Sequence, residues 1–269
     1  MLRILAAVLA AAAVLARPAD QARLRAPIAT GTPDTHVAHS NTSNDRPTRY
    51  SANWAGAVLH SPVDELREIT GTFTVPAVRW PQDEGHWSSQ WGKIWIGIGS
   101  DLCGDKGANI RVGVEIIMQS SGEIDVLPFY QAYPNPFTFI GGNYFSSGDD
   151  LVLSISLDSK TSGRVTVKAP AYRIEIRESF ATGPWLCPHD AEWVVEANIE
   201  DGEIVTPPDF GAIVFKDAHA AGVGPDAAHA IDMFQQRQLT EVSVGPSTVN
   251  VTYLPDFFTE RGRTGARAQ

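Results

Sequence analysis

The chain has 269 residues with a formal net charge of −10, 19% charged residues, 23 glycines and 18 prolines, and its pI is about 5.1. That length holds one large domain or two small ones with a full core, and the acidic balance argues against nucleic acid or an anionic membrane as partner. The histidines are scattered, and no His-Glu-x-x-His helix, Gly-x-Ser-x-Gly elbow or phosphate loop occurs, so neither a metal nor a cofactor is expected.

In chain order, Met1-Leu2-Arg3 precedes an unbroken apolar run from Ile4 to Leu15, followed by Ala16-Arg17-Pro18. One positive charge, a short hydrophobic stretch and small residues at Val14 and Ala16 predict a secretory signal peptide over 1–16, too short to span a bilayer comfortably. The expectation is a secreted, extracellular monomer with no membrane partner once that segment is removed. Residues 17–48 are rich in Arg, Pro, Thr, Asn, Asp and His without periodicity, which reads as a propeptide or disordered leader.

From 49 to 255 the pattern is strands and turns. The stretches 151–157, 164–168, 173–177 and 248–253 alternate with a period of two, as half-buried antiparallel strands do. Thr161-Ser162-Gly163, Gly141-Gly142 and Ser147-Gly148-Asp149-Asp150 are turn signals, and only 225–238 has a helical look. These features predict an all-β chain forming a single-domain antiparallel β-sandwich. Residues 256–269 are a polar tail expected to fray. Two cysteines in an exported chain, Cys103 and Cys187, predict a disulfide, with unrelated buried thiols as the alternative. Asn41-Thr42-Ser43 and Asn250-Val251-Thr252 are glycosylation sequons.

The segment of greatest chemical interest runs from Cys187 to Glu196, a short turn entering a β-branched, aromatic strand with Glu192 embedded in it. Side-chain alternation puts Glu192, Val194 and Glu196 on one face and Trp193 and Val195 on the other. If that face is buried, desolvation raises the pKa of Glu192 and suits it to general acid or base work. An exposed outer face accounts for the same spacing.

Ala191-Glu192-Trp193-Val194-Val195-Glu196 resembles the strand carrying the catalytic glutamate in the glutamic peptidases of the eqolisin family (peptidase G1), acid-acting endopeptidases known from fungi and some prokaryotes. Other segments match in the same order. Ser51-Ala52-Asn53-Trp54-Ala55-Gly56-Ala57-Val58 resembles the start of the mature family domain, and Phe73-Thr74-Val75-Pro76 its next strand. Trp95-Ile96-Gly97-Ile98-Gly99 resembles the Trp-Val-Gly-Ile strand, and Tyr130-Gln131-Ala132-Tyr133-Pro134 the Tyr-Glu-Trp-Tyr-Pro segment. The resemblance covers about residues 50 to 255 and implies two large curved sheets in a concanavalin A/lectin-like sandwich. It also implies a protein or peptide substrate and a role for Glu192 as general base and acid. Trp54, Trp95, Tyr130, Gln131 and Tyr133 become candidate substrate-binding residues, and Trp54, Trp95, Tyr130, Tyr133 and Trp193 could line an aromatic groove, with a place in the core as the alternative.

The family pairs its glutamate with a glutamine that stabilises the oxyanion. Here the matching strand reads Asn109-Ile110-Arg111-Val112-Gly113-Val114-Glu115, so Arg111 stands at that position, and neither Gln119 nor Gln90 fits by a shift of register. Gln131 likewise occupies the place of a family glutamate, and Ala132 that of a bulky residue. Arg111 admits three readings. It can polarise the scissile carbonyl as a fixed cation, it can lower the pKa of Glu192 and hold it in a salt bridge, or it can pair with Glu115 on its own strand face. Two functions remain open: an acid-acting endopeptidase, and a catalytically impaired relative that binds peptide or glycan in the groove. A sandwich glycosidase is disfavoured, because Glu123-Ile124-Asp125-Val126-Leu127 resembles a lectin-like glucanase strand but Pro128 stands where its third carboxylate belongs.

Overall fold

Alternation with a period of two turns every second side chain of most segments toward a shared interior, and in the computed structural model two large sheets close over that interior. The structure describes residues 36–37, 49–61, 66–80, 90–99, 108–200, 202–235 and 238–254. Residues 1–16, for which a signal peptide is expected, most of 17–48 including Asn41, Cys103 and residues 256–269 lie outside the described residues.

The first sheet has nine strands in the order β1 (His36–Val37), β2 (Arg49–Ser51), β16 (His229–Met233), β3 (Trp54–His60), β12 (Asp190–Ala197), β5 (Gln90–Ile98), β6 (Ile110–Met118), β7 (Ile124–Ala132) and β8 (Thr138–Phe139). The second has seven, in the order β11 (Ile174–Ala181), β10 (Ser162–Ala169), β9 (Asp150–Leu157), β4 (Glu68–Thr74), β15 (Ala212–Ala220), β18 (Thr248–Tyr253) and β17 (Thr240–Gly245). A small ribbon pairs β13 (Ile199–Glu200) with β14 (Glu203–Ile204). The four alternating stretches of the sequence thus become β9, β10, part of β11 and β18. Among the described strand pairs, β16 runs parallel to β2 and the others are antiparallel.

The helical reading of 225–238 is corrected by the structure. Pro225–Ala227 makes a single short 3-10 turn, and His229–Met233 is a strand between β2 and β3. Ladder bonds on both sides satisfy its backbone, so pairing partners distant in sequence override a weak local helical pattern.

The main core lies between the sheets. Ala191, Trp193 and Val195 of β12, Ile94, Ile96 and Ile98 of β5, and Ile110, Val112 and Val114 of β6 face it together. Trp193 is fully buried, and its indole N–H crosses to the second sheet to donate to the Thr70 carbonyl at 2.9 Å. Truncating such a side chain costs about 3–5 kcal/mol, so Trp193 anchors the strand whose next residue back is Glu192.

Candidate active site

The opposite face of the first sheet carries a second apolar cluster, Trp54, Val58, Trp95, Phe129, Val194 and Ile231, packed by Phe137 and Phe139. Every residue of β12 is buried, so the solvated outer face allowed by the spacing is not found; Glu192 is 2% exposed.

Register orders the polar side chains of this face into rows. The first runs Val58, Glu192, Gly97, Arg111, Gln131 across β3, β12, β5, β6 and β7. The second runs Gly56, Val194, Trp95, Gly113, Phe129, and the third Trp54, Glu196, Lys93, Glu115, Leu127. Glu192 and Arg111 therefore sit two strands apart, roughly 10 Å between backbones, with only a glycine between them.

That glycine matters. A Cβ on Gly97 would lie 2.7 Å from Cζ3 of Trp95 and 3.2 Å from Oε2 of Glu192. Both side chains thus lean over the bare backbone of Gly97, and the carboxylate projects toward the Arg111 side. Gly113 is required for a different reason: a Cβ there would meet the Ile94 carbonyl oxygen at 2.1 Å and Cβ of Trp95 at 2.6 Å.

Arg111 is held by two neighbours. Its Nε and Nη2 both donate to Oε1 of Gln131, at 3.0 and 2.6 Å, and Nη1 donates to Oε2 of Glu196 at 3.0 Å. The same Glu196 oxygen accepts the Trp95 indole N–H at 2.7 Å, and the guanidinium carbon lies 5.4 Å from the Trp95 ring centre. The pairing of Arg111 with Glu115, the third of the readings its position allows, is not formed. Lys93 takes Glu115 instead, Nζ to Oε1 at 3.6 Å, and Asn198 donates to the same oxygen at 3.3 Å while accepting from Lys93. Burial pushes the Glu115 carboxyl above its usual range; the Lys93 charge and the hydrogen bonds from Asn198 and Lys93 pull it back, and the nearby Glu196 charge raises it.

Residues 52–253 match the Peptidase A4 family. The chain belongs to this family, that of the glutamic peptidases. It is 30% identical over 261 residues to aspergillopepsin-2 of Aspergillus niger, covering 89% of each chain. Among solved structures it is similar to scytalido-glutamic peptidase bound to a transition state analog inhibitor, with a TM-score of 0.64 at 26% identity over 76% of this chain and 98% of that one. It is similar also to aspergilloglutamic peptidase from Aspergillus niger, with a TM-score of 0.56 at 30% identity over 61% of this chain and 99% of that one. The β-sandwich is the fold of these glutamic peptidases.

Against this family background the structure separates the candidate residues. Glu192, Arg111, Gln131, Trp95 and Trp54 share one face, and Tyr133 follows two residues after Gln131 at the end of β7, half-buried. Tyr130 and Trp193 do not join them, because alternation along β7 and β12 turns both to the other face, where Tyr130 packs against the main core and Trp193 lies within it. Gln90 sits buried at the start of β5, and Gln119 donates to Asp125 at 3.1 Å, so neither enters the row of Glu192. Asp125 also accepts from Asn143 at 2.6 Å, which ties the glucanase-like segment, the start of β7, to the stretch around Asn143. Asn250 of the second sequon lies in β18, half-buried. Cys187 is buried at the turn into β12. Among the described residues no cluster of three or more His, Cys, Asp or Glu side chains could hold a metal ion.

The sequence reading missed Glu196 and Lys93 as members of the site. The signal for Glu196 was its place four residues after Glu192, on the same strand face. Lys93 offered a parallel signal, two residues before Trp95.

Proposed function

We propose that this glutamic peptidase family member is a secreted, acid-acting endopeptidase in which Glu192 is the general base and acid and Arg111 the electrophile. The observation that carries the reading is the placement of Glu192 and Arg111 in one register row on either side of the bare Gly97, with the guanidinium charge engaged by Glu196. In the proposed reaction Glu192 takes a proton from water, the water oxygen bonds to the scissile carbonyl carbon, and the carbonyl electron pair moves onto oxygen, to which Arg111 N–H groups donate hydrogen bonds. The tetrahedral intermediate collapses as the C–N bond breaks and Glu192 returns the proton to the leaving amine. Trp54, Trp95, Gln131 and Tyr133 line the groove for the substrate chain.

The same reading takes residues 1–16 as a signal peptide, 17–48 as a leader removed before action, 49–255 as the working domain, and Cys103 with Cys187 as a disulfide restraining the turn into β12. The match to a solved family structure spans 98% of that chain but 76% of this one, which supports a segment outside the working domain. A monomer acting on protein or peptide, without a cofactor, completes the proposal.

The test is cleavage of an unfolded protein by the chain lacking 1–48, from acid to neutral pH, beside Glu192→Ala and Arg111→Gln. Loss of cleavage in Glu192→Ala is the expected result. A second reading is favoured by the three hydrogen bonds that pin Arg111: a family member disabled at this position that binds peptide or glycan on its aromatic floor. An inert native chain that gains cleavage in Arg111→Gln would establish it and overturn the first.

A further inference from the structure

We propose that Glu196 and Gln131 are positioning residues that hold the Arg111 guanidinium over Trp95, so that its charge is compensated along the groove rather than by Glu192. The inference deepens the proposed function and rests on it for its catalytic consequence, but its structural content stands alone.

An arginine one glycine away from a base should capture that base in an ion pair, and a captured carboxylate has lost the freedom to take a proton from water. The geometry offers another partner. Glu196 lies two rows from Arg111, and the long side chain reaches it by passing above Gly113, where no side chain stands in the way. Glu196 is itself fixed: the Trp95 indole N–H and the guanidinium converge on the same oxygen, and the residue is 7% exposed. On the other side Gln131, 5% exposed, accepts both Nε and Nη2 on one amide oxygen. That is the edge a carboxylate would otherwise take in a fork-to-fork pair. A neutral amide there fixes the orientation without cancelling more of the charge. Of the five N–H groups of a guanidinium, three are thereby engaged, leaving one on each terminal nitrogen to meet a developing oxyanion.

The experiment follows the Arg111 Nε–H by nitrogen-15 NMR in the chain lacking 1–48, assigned by its disappearance in Arg111→Lys, together with kcat and KM on an unfolded protein. In Gln131→Leu the exchange of this proton with water should accelerate at least about tenfold, and in Glu196→Gln the Nη resonances should shift. In both variants kcat should fall at least about tenfold, and in Glu196→Gln, at a residue outside the substrate-lining set, KM should change no more than about twofold, the signature of an interaction made in the transition state. If Gln131→Leu does not fold, Gln131→Glu decides: a second carboxylate should slow Nε–H exchange. Unchanged exchange in Gln131→Leu or Gln131→Glu, or unmoved Nη resonances in Glu196→Gln, overturns the positioning role. A native chain that cleaves nothing yet shows these NMR changes would overturn the peptidase reading and leave the positioning role standing.

Discussion

Replacing Lys93 by methionine tests whether the charges at the far end of the groove are coupled as the geometry indicates. Lys93 and Glu115 are 3% and 4% exposed, 3.6 Å apart, and joined through Asn198. Removing one partner of a buried pair leaves the other charge uncompensated, at a cost of about 3–5 kcal/mol. The cost should depend on pH. Burial already holds the Glu115 carboxyl above its ordinary value of 4.5, and the Lys93 charge is the largest influence opposing that rise. A carboxyl whose folded pKa is raised contributes stability that is complete below its unfolded value and is lost as pH climbs through the folded value. Without Lys93 the folded value climbs further, so the penalty of Lys93→Met should be full near neutral pH. Once Glu115 is protonated it should shrink toward the roughly 1–2 kcal/mol of lost hydrogen bonding. Urea denaturation at about pH 7 and about pH 4 reads both numbers. The double variant with Glu115→Met should lie within about 1 kcal/mol of the native chain or above it, because two apolar side chains need no mutual compensation. A penalty equal at both pH values, or below about 1 kcal/mol at neutral pH, would refute the reasoning.

Gly97→Ala should leave the fold intact at a cost of about 1–3 kcal/mol in thermal or urea melts. It should also lower cleavage at least about tenfold by displacing the reacting groups, since the new Cβ falls 2.7 Å from Trp95 Cζ3 and 3.2 Å from the Glu192 carboxylate; undiminished cleavage would show that the space above Gly97 is not where the chemistry occurs. Asp232 is buried beside Gln238, and burial first, with the Glu241 charge adding to it and a hydrogen bond from the Val242 backbone opposing it, raises its pKa from 3.8 to about 6. By the same sign rule its stabilising contribution is whole below 3.8 and fades as pH rises through about 6. Asp232→Asn should therefore flatten the fall in stability across that window, measured as urea midpoint against pH, and an unaltered slope would mean that Asp232 titrates as an ordinary carboxyl.

Much of the fold and part of the site were legible in the residues. Period-two alternation marked β9, β10 and β18, and the same alternation put Glu192, Val194 and Glu196 on one face because the pleat leaves no other choice. It also carried the correction for Tyr130, whose odd step from Gln131 sends it to the main core. The strand at His229–Met233 was hidden for the opposite reason, since its ladder bonds come from β2 and β3, far earlier in the chain.

The partner of each charge was likewise beyond local reading. From sequence the near neighbour of Arg111 is Glu115, on the same strand and the same face; in the folded chain β5 and β12 bring Lys93 and Glu196 alongside, and the four groups pair across strands. Which side chains share a face follows from the residues alone, because alternation is a property of one strand's backbone. That this face is buried, and which carboxylate meets which cation, came from the packing of strands distant in sequence. Burial and Coulomb energy depend on what lies within a few ångströms in space, and strand order sets those neighbours, whereas separation along the chain does not.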